Sequence, residues 1–196
     1  KAGEELKVIH VITGLQTGGA EMMIYKLLSE ISKNQNVRSR VVSLMPDGPI
    51  GERIRELGVP VTTLDMPRGT LTWDGLRRLY GLLRREQPDV VQTWMYHADL
   101  VGGIVAWAAG VGHIVWNIRS STLDPDRDKR TTIWTARLCA WLSSWLPDRI
   151  VTCAREAGCV HADLGYDASK MVLVPNGFDT EQYRPDDQRR ARVRKE

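Results

Sequence analysis

Apolar residues along this chain fall into short β-branched runs, separated by longer stretches in which they recur every three or four positions. Leu6–Ile12 is a run of the first kind and ends in Thr13-Gly14, as a buried strand feeding a loop does. Gly18-Gly19 then opens Ala20–Ser32, where Met23, Ile24, Leu27, Leu28 and Ile31 keep helical spacing. The alternation continues with strands predicted at Arg40–Met45, Val59–Leu64, Asp89–Trp94, His113–Ile118, Arg149–Cys153 and Met171–Val174. Between them the spacing predicts helices at Ile50–Leu57, Trp73–Arg85, Ala98–Ala109, Thr131–Leu146 and Arg155–Leu164, with Gly58 and Pro88 as stop signals.

Strands alternating with helices demand right-handed crossovers and a parallel sheet covered on both faces. The expected fold is a three-layer α/β/α, Rossmann-like domain whose doubly wound parallel sheet has about seven strands. No repeat of fixed period and no low-complexity segment interrupts it.

Composition narrows the class. At 196 residues, 42% hydrophobic and 26% charged, the chain has the makings of one packed core, which excludes disordered and fibrous classes. The net charge of +3 conceals three arginine-dense regions, at 77–85, 127–137 and 189–195. That bias suits anionic ligands or lipid, yet it lacks the concentrated footprint of a nucleic-acid binder, so no nucleic-acid partner is expected. Three cysteines, Cys139, Cys153 and Cys159, lack metal-site or disulfide-framework spacing, which suits a reducing, cytoplasmic setting. Lys1–Lys7 does not read as a signal peptide.

Two segments allow a membrane reading. Leu100–Ile118 carries no formal charge, but Gly102-Gly103, Gly110 and Gly112 punctuate it, so a buried helix followed by a buried strand is expected. Trp134, Leu138, Trp141, Leu142 and Trp145 recur at helical spacing behind Arg127, Lys129 and Arg130. This stripe is expected to fill the core, because a chain with seven Trp and one Phe has few other bulky aromatics. If its indoles are exposed instead, the pattern suits a peripheral seat on an anionic membrane.

In an open parallel sheet ligands bind beyond the carboxyl ends of the strands, which selects the loops following each one. Gly18 and Gly19 precede a helix whose N-terminal N–H groups favour a phosphate, although the GxxxGG spacing also serves a plain tight turn. His97 follows the strand ending at Trp94 and offers an imidazole for hydrogen bonding or proton transfer, or is an ordinary first-turn residue. Asn117 and Arg119 alternate onto one side, where the guanidinium fits a phosphate or carboxylate, or pairs with Asp124 or Asp126. Asn176 lies in the last such loop, Pro175–Asp179.

In order along the chain stand Val8-Ile9-His10-Val11-Ile12 before Gly18-Gly19-Ala20-Glu21, then Pro88-Asp89-Val90-Val91-Gln92-Thr93 before His97. Val172-Leu173-Val174-Pro175-Asn176-Gly177-Phe178-Asp179 with Tyr183-Arg184-Pro185 closes the set. The ordered set resembles the N-terminal half of glycosyltransferase family 4, retaining enzymes of the GT-B fold. The resemblance implies a Rossmann-like acceptor-side domain at 1–185. It also implies the start of an interdomain linker helix at 186–196, with a C-terminal donor-binding domain beyond it.

It further implies a nucleotide-sugar donor as substrate, a glycan or lipid-linked acceptor, cell-envelope polysaccharide or lipopolysaccharide assembly, and no metal or other cofactor. Gly18 and Gly19 resemble the loop that closes on the donor diphosphate, and His97 the catalytic pocket residue near the transferred sugar. Asn117, Arg119 and Asn176 fall in the acceptor and sugar pocket, where many members have a His in place of Asn117 or Arg119. The isolated half is expected to be inactive. The alternatives are a free-standing α/β binding or regulatory module for a phosphorylated ligand, and half of a sugar-nucleotide epimerase.

Overall fold

A computed structural model describes residues 5–123, 128–177, 186, 190 and 192–194. Seven strands, β1 (Leu6–Ile12), β2 (Val37–Ser43), β3 (Val61–Thr63), β4 (Val90–Trp94), β5 (His113–Ile118), β6 (Arg149–Thr152) and β7 (Met171–Leu173), lie in one sheet. Helices α1 (Gly19–Ile31), α2 (Pro49–Glu56), α3 (Trp73–Glu86), α4 (Tyr96–Ala108), α5 (Arg130–Leu142) and α6 (Arg155–Asp163) alternate with them. Every pairing is parallel, in the order β3-β2-β1-β4-β5-β6-β7. This is the Rossmann-like α/β/α fold that the alternation predicts.

Differences from the sequence reading have local causes. Strand β2 begins at Val37 rather than Arg40, because Val37 pairs with Leu6 and the ladder runs on through polar Arg38 and Ser39. Helix α5 ends at Leu142 rather than Leu146: the Ser143 hydroxyl donates to the Ala140 carbonyl at 2.6 Å, and Trp145 N–H bonds back to Leu142 in a tighter turn.

The core lies on both faces of the sheet. Ile24 and Leu28 of α1 and Ile50 and Ile54 of α2 meet Ile12, Val41 and Trp94 on one side. On the other, Leu79 and Leu83 of α3, Ala98 and Val101 of α4 and Cys139 of α5 meet Ile9, Val11, Val91 and Trp116. Two glycines bring α4 flush against the strands. A Cβ at Gly102 would stand 3.0 Å from both Thr93 and Val11, and one at Gly103 would stand 2.8 Å from the Trp116 indole nitrogen.

Helix α3 starts at Thr72, whose hydroxyl accepts from Gly75 N–H at 3.2 Å, and ends at Gln87 in left-handed conformation. Thr72→Ala is expected to destabilise the fold by about 1 kcal/mol, measured as a lower denaturant midpoint at unchanged slope.

The tryptophan stripe of α5 does not fill the core. Trp134 is 69% exposed, Trp141 70% and Trp145 50%, and Leu138 is exposed beside them; of that stripe only Leu142 is buried. The buried residues of the helix are Ala136, Cys139, Ala140 and Leu142, mostly small, so they let α5 pack closely against α4. The uncharged 100–118 segment divides as expected into α4 and β5, and no described helix is long and apolar enough to cross a membrane. Cys139, Cys153 and Cys159 are free thiols. In the tail, Arg190 N–H donates to Asp186 and Arg194 N–H to Arg190, as in a helix. The boundary after residue 185, like Asp124 and Asp126, lies outside the described residues.

Candidate functional site

Strand order reverses between β1 and β4, and there the carboxyl-end loops diverge to leave a cleft. Its volume is about 470 Å³, and Thr13, Gly19, Glu21, Met95, Tyr96, His97, Arg119, Ser120, Asp128 and Asn176 line it. Four different strand ends contribute, so the cleft exists only in the assembled sheet.

At the β1 end, Gly18 occupies the N-cap of α1 without a side-chain cap, and Gly19 opens the helix. The preceding loop is pinned from β2: Ile50 N–H donates to the Leu15 carbonyl at 3.2 Å, and the Gln16 amide donates to the Asp47 carbonyl at 2.9 Å. Glu21, in the first turn, folds its carboxylate toward Gly18 so closely that a Cβ at Gly18 would collide with it. Burial raises the Glu21 pKa, while a bond from its own backbone N–H opposes that shift. The glutamate therefore supplies an internal anion at the positive end of α1, and a phosphate entering there has to turn it aside.

At the β4 end the backbone is strained. Met95 has φ 72° and ψ 153°, a region that L residues avoid, at a cost of order 1–3 kcal/mol. Its carbonyl accepts from Asp99 N–H at 2.8 Å and its own N–H donates to the Asn117 carbonyl at 3.2 Å, which hold the turn. This geometry starts α4 at once, so Tyr96 and His97 sit in its first turn and face the cleft. His97 is half-buried, and desolvation lowers its pKa and favours the neutral imidazole.

Beneath it the first turn is anchored in the core. The Thr93 hydroxyl donates to Asp99 at 2.6 Å, and burial pushes the fully enclosed Asp99 carboxyl up to about 8. Asp99 is thus mostly uncharged at neutral pH. His161 donates from Nδ1 to the Ala157 carbonyl at 2.7 Å, so its Nε2 accepts from the Tyr96 hydroxyl at 2.6 Å. Burial lowers the His161 pKa, in keeping with that neutral tautomer.

At the β5 end the Arg119 guanidinium lies over the Trp94 ring at 4.7 Å and donates to Asn176 Oδ1 at 2.6 Å. Trp94 is itself fully buried, and its indole N–H points to His10 Nδ1 at 3.5 Å. Burial lowers the His10 pKa to about 4, so the platform under the arginine carries no charge.

The structure therefore brings Gly19, His97, Arg119 and Asn176 onto one cleft, with Gly18 at the helix end behind Gly19. Asn117 departs from the expected pairing with Arg119: it is 1% exposed and does not line the cleft. The strand is still enclosed by its neighbours at position 117, and the sheet ends only beyond Ile118. Sequence reasoning passed over Met95, Glu21 and Asp99. Asp99 carried a signal, an acid two residues after His97 in an otherwise apolar helix.

An all-parallel α/β domain with a polar cleft at its switch point defines a ligand-binding half of the Rossmann type. The model for glycosyltransferase family 4 matches residues 17–182, and the chain belongs to that family. It is 26% identical, over 55% of its length and 28% of the relative's, to an Escherichia coli UDP-Gal:alpha-D-GlcNAc-diphosphoundecaprenol alpha-1,3-galactosyltransferase. Its fold matches Anabaena HepE, solved in complex with UDP-glucose, at a TM-score of 0.77 and 19% identity, covering 97% of this chain and 49% of that one. A UDP-GlcNAc 2-epimerase from Methanocaldococcus jannaschii matches at a TM-score of 0.60 and 16% identity, over 87% of this chain and 46% of the other. The chain thus spans about half the length of these solved structures. The fold is common to transferase and epimerase, and the family match favours the transferase.

Proposed function

We propose that this chain is the acceptor-side, N-terminal half of a retaining glycosyltransferase that moves a sugar from a UDP-sugar to a lipid-linked or glycan acceptor. The observation that carries the reading is the cleft itself, where a helix N-terminus, a neutral imidazole and a fixed guanidinium converge at the switch point. The E. coli relative's name specifies a UDP-sugar and a diphospholipid acceptor, and HepE binds UDP-glucose, which supports this choice of substrates.

In the proposed transfer the N–H groups at Gly18 and Gly19 face the donor diphosphate once Glu21 turns aside, and neutral His97 hydrogen-bonds a hydroxyl of sugar or acceptor. The leaving diphosphate is neutralised by protein donors rather than by a metal ion, so chelators should leave the rate unchanged. The test is a screen of the full-length protein against nucleotide sugars, scoring hydrolysis without acceptor. UDP-sugars should be consumed, and residues 1–196 alone should be inactive. Turnover by a clean preparation of 1–196 would sink the half-enzyme reading.

The exposed tryptophans favour work at the cytoplasmic face of an anionic membrane. Trp107 packs edge-on to Trp145 with ring centroids 5.9 Å apart, Trp134 and Trp141 flank them, and Lys129, Arg130 and Arg137 are exposed nearby. Indoles beside cations are the chemistry of an interfacial seat. Replacing Trp134, Trp141 and Trp145 together by Ala is expected to weaken sedimentation with phosphatidylglycerol vesicles by about tenfold or more, with little change in stability. Equal binding by the triple variant would remove this face from the account.

A further inference from the structure

We propose that Arg119 reads a phosphate of the acceptor, so that the cleft selects a sugar carried on a phosphate or diphosphate over the same sugar in a neutral glycoside. The proposal rests on the glycosyltransferase reading and deepens it. Among the described residues lining the cleft Arg119 is the one permanent cation, while Glu21 and Asp128 are carboxylates. Its guanidinium is seated rather than free, with one face on the Trp94 ring and one arm on Asn176.

Its hydrogen-bonding capacity is only partly used. Besides Asn176 the side chain meets the Cys153 sulfur, while Nε is buried without a hydrogen-bond partner and no described carboxylate forms an ion pair with the side chain. A half-desolvated guanidinium held in this way gains most from an anion that arrives with the ligand.

The proposed transfer already gives the donor diphosphate the N-terminal end of α1. The α1 end follows β1 and Arg119 follows β5, with β4 between them, so the two loci stand two strand spacings apart, roughly 10 Å at the backbone. A cleft with two separated anion loci is suited to two anionic substrates, and the second is the acceptor.

The test uses the full-length protein, with Arg119→Met and Arg119→Lys, on two acceptors of equal chain length: dodecyl-diphospho-N-acetylglucosamine and dodecyl N-acetylglucosaminide. Arg119→Met is expected to lower kcat/KM for the diphosphate acceptor about 30- to 100-fold, and Arg119→Lys by about tenfold, because a point charge replaces the fork. The neutral acceptor, the KM for UDP-sugar and donor hydrolysis should stay within about threefold.

An equal fall for both acceptors would make Arg119 a positioning residue, and a raised donor KM would hand it to the donor; either overturns the proposal. No change at all would show that Arg119 meets no anion of the acceptor, which also overturns the proposal. If the full-length protein consumes no nucleotide sugar, the glycosyltransferase reading fails on its own. Calorimetric titration of the same two dodecyl compounds then decides Arg119 separately: wild type should prefer the diphosphate and Arg119→Met should not, and a wild type without preference refutes it.

Discussion

Trp94→Ala is expected to lower the unfolding free energy by about 3–5 kcal/mol, a large share of the roughly 5–15 kcal/mol available to a domain. The indole is fully buried at the end of β4, in the cluster with Ile12, Leu15, Ile24 and Leu28. Its removal leaves a cavity that strands on both sides of β4 cannot close, and it leaves His10 Nδ1 without its donor. The same change takes the floor from under Arg119. Urea unfolding should show a large drop in midpoint at unchanged slope. Trp94→Phe, which keeps an aromatic face, should lose much less. A loss below about 1 kcal/mol for the alanine variant would show that the indole is not packed as described.

Stability should fall as pH rises from about 6.5 to 8, and Asp99→Asn should remove the fall. The folded Asp99 carboxyl is held up to about 8, against an ordinary 3.8, chiefly by burial. Between those values the unfolded chain has released the proton and the folded chain has kept it, so each pH unit costs the folded state about 1.4 kcal/mol. His10 acts in the opposite sense over part of the range. Its folded pKa is lowered to about 4 from 6.5, so from pH 4 to 6.5 the folded state holds fewer protons and gains stability as pH rises.

The two slopes offset each other below pH 6.5, and above it the His10 contribution is complete while that of Asp99 continues. His97 and His161, whose pKa values burial also lowers, act in the same sense as His10, so the decline of wild type is expected above pH 6.5, where all three contributions are complete. Asp99→Asn should climb from pH 4 to 6.5 and then level off, standing several kcal/mol above wild type in relative profile by pH 8. Parallel profiles for the two proteins would mean that Asp99 is charged in the fold.

How much of this was legible depends on what each residue meets. β1 and β5 matched their predicted bounds, because a strand buried on both faces writes a continuous apolar run. β2 was clipped, since Arg38 and Ser39 hide a ladder that only the partner strand extends. Helical spacing in α5 marked a face but not the direction it looks. The helix carries two apolar stripes, and the small one, Ala136, Cys139 and Ala140, is the one that packs inward, leaving the tryptophans outside. The rule that ligands gather at strand ends points to the loops holding Gly19, His97, Arg119 and Asn176, and the structure places these four residues on one cleft. The strain at Met95 and the enclosure of Asp99 were not legible, because both depend on how α4 docks against Thr93 and on the backbone of Asn117.

The strand order has a further consequence for how the molecule assembles. Residues up to β3 build one block of the sheet and residues from β4 onward build the other, and the two blocks are joined in the ladder only where β1 meets β4. Neighbouring strands within a block are linked by one crossover, whereas Val8 and Val90 must close a loop containing all of the first block. The cleft lies over that joint. Ligand-binding competence is therefore tied to the slowest closure in the sheet, and a chain with both blocks formed but the joint open would keep nearly all its secondary structure and have no site.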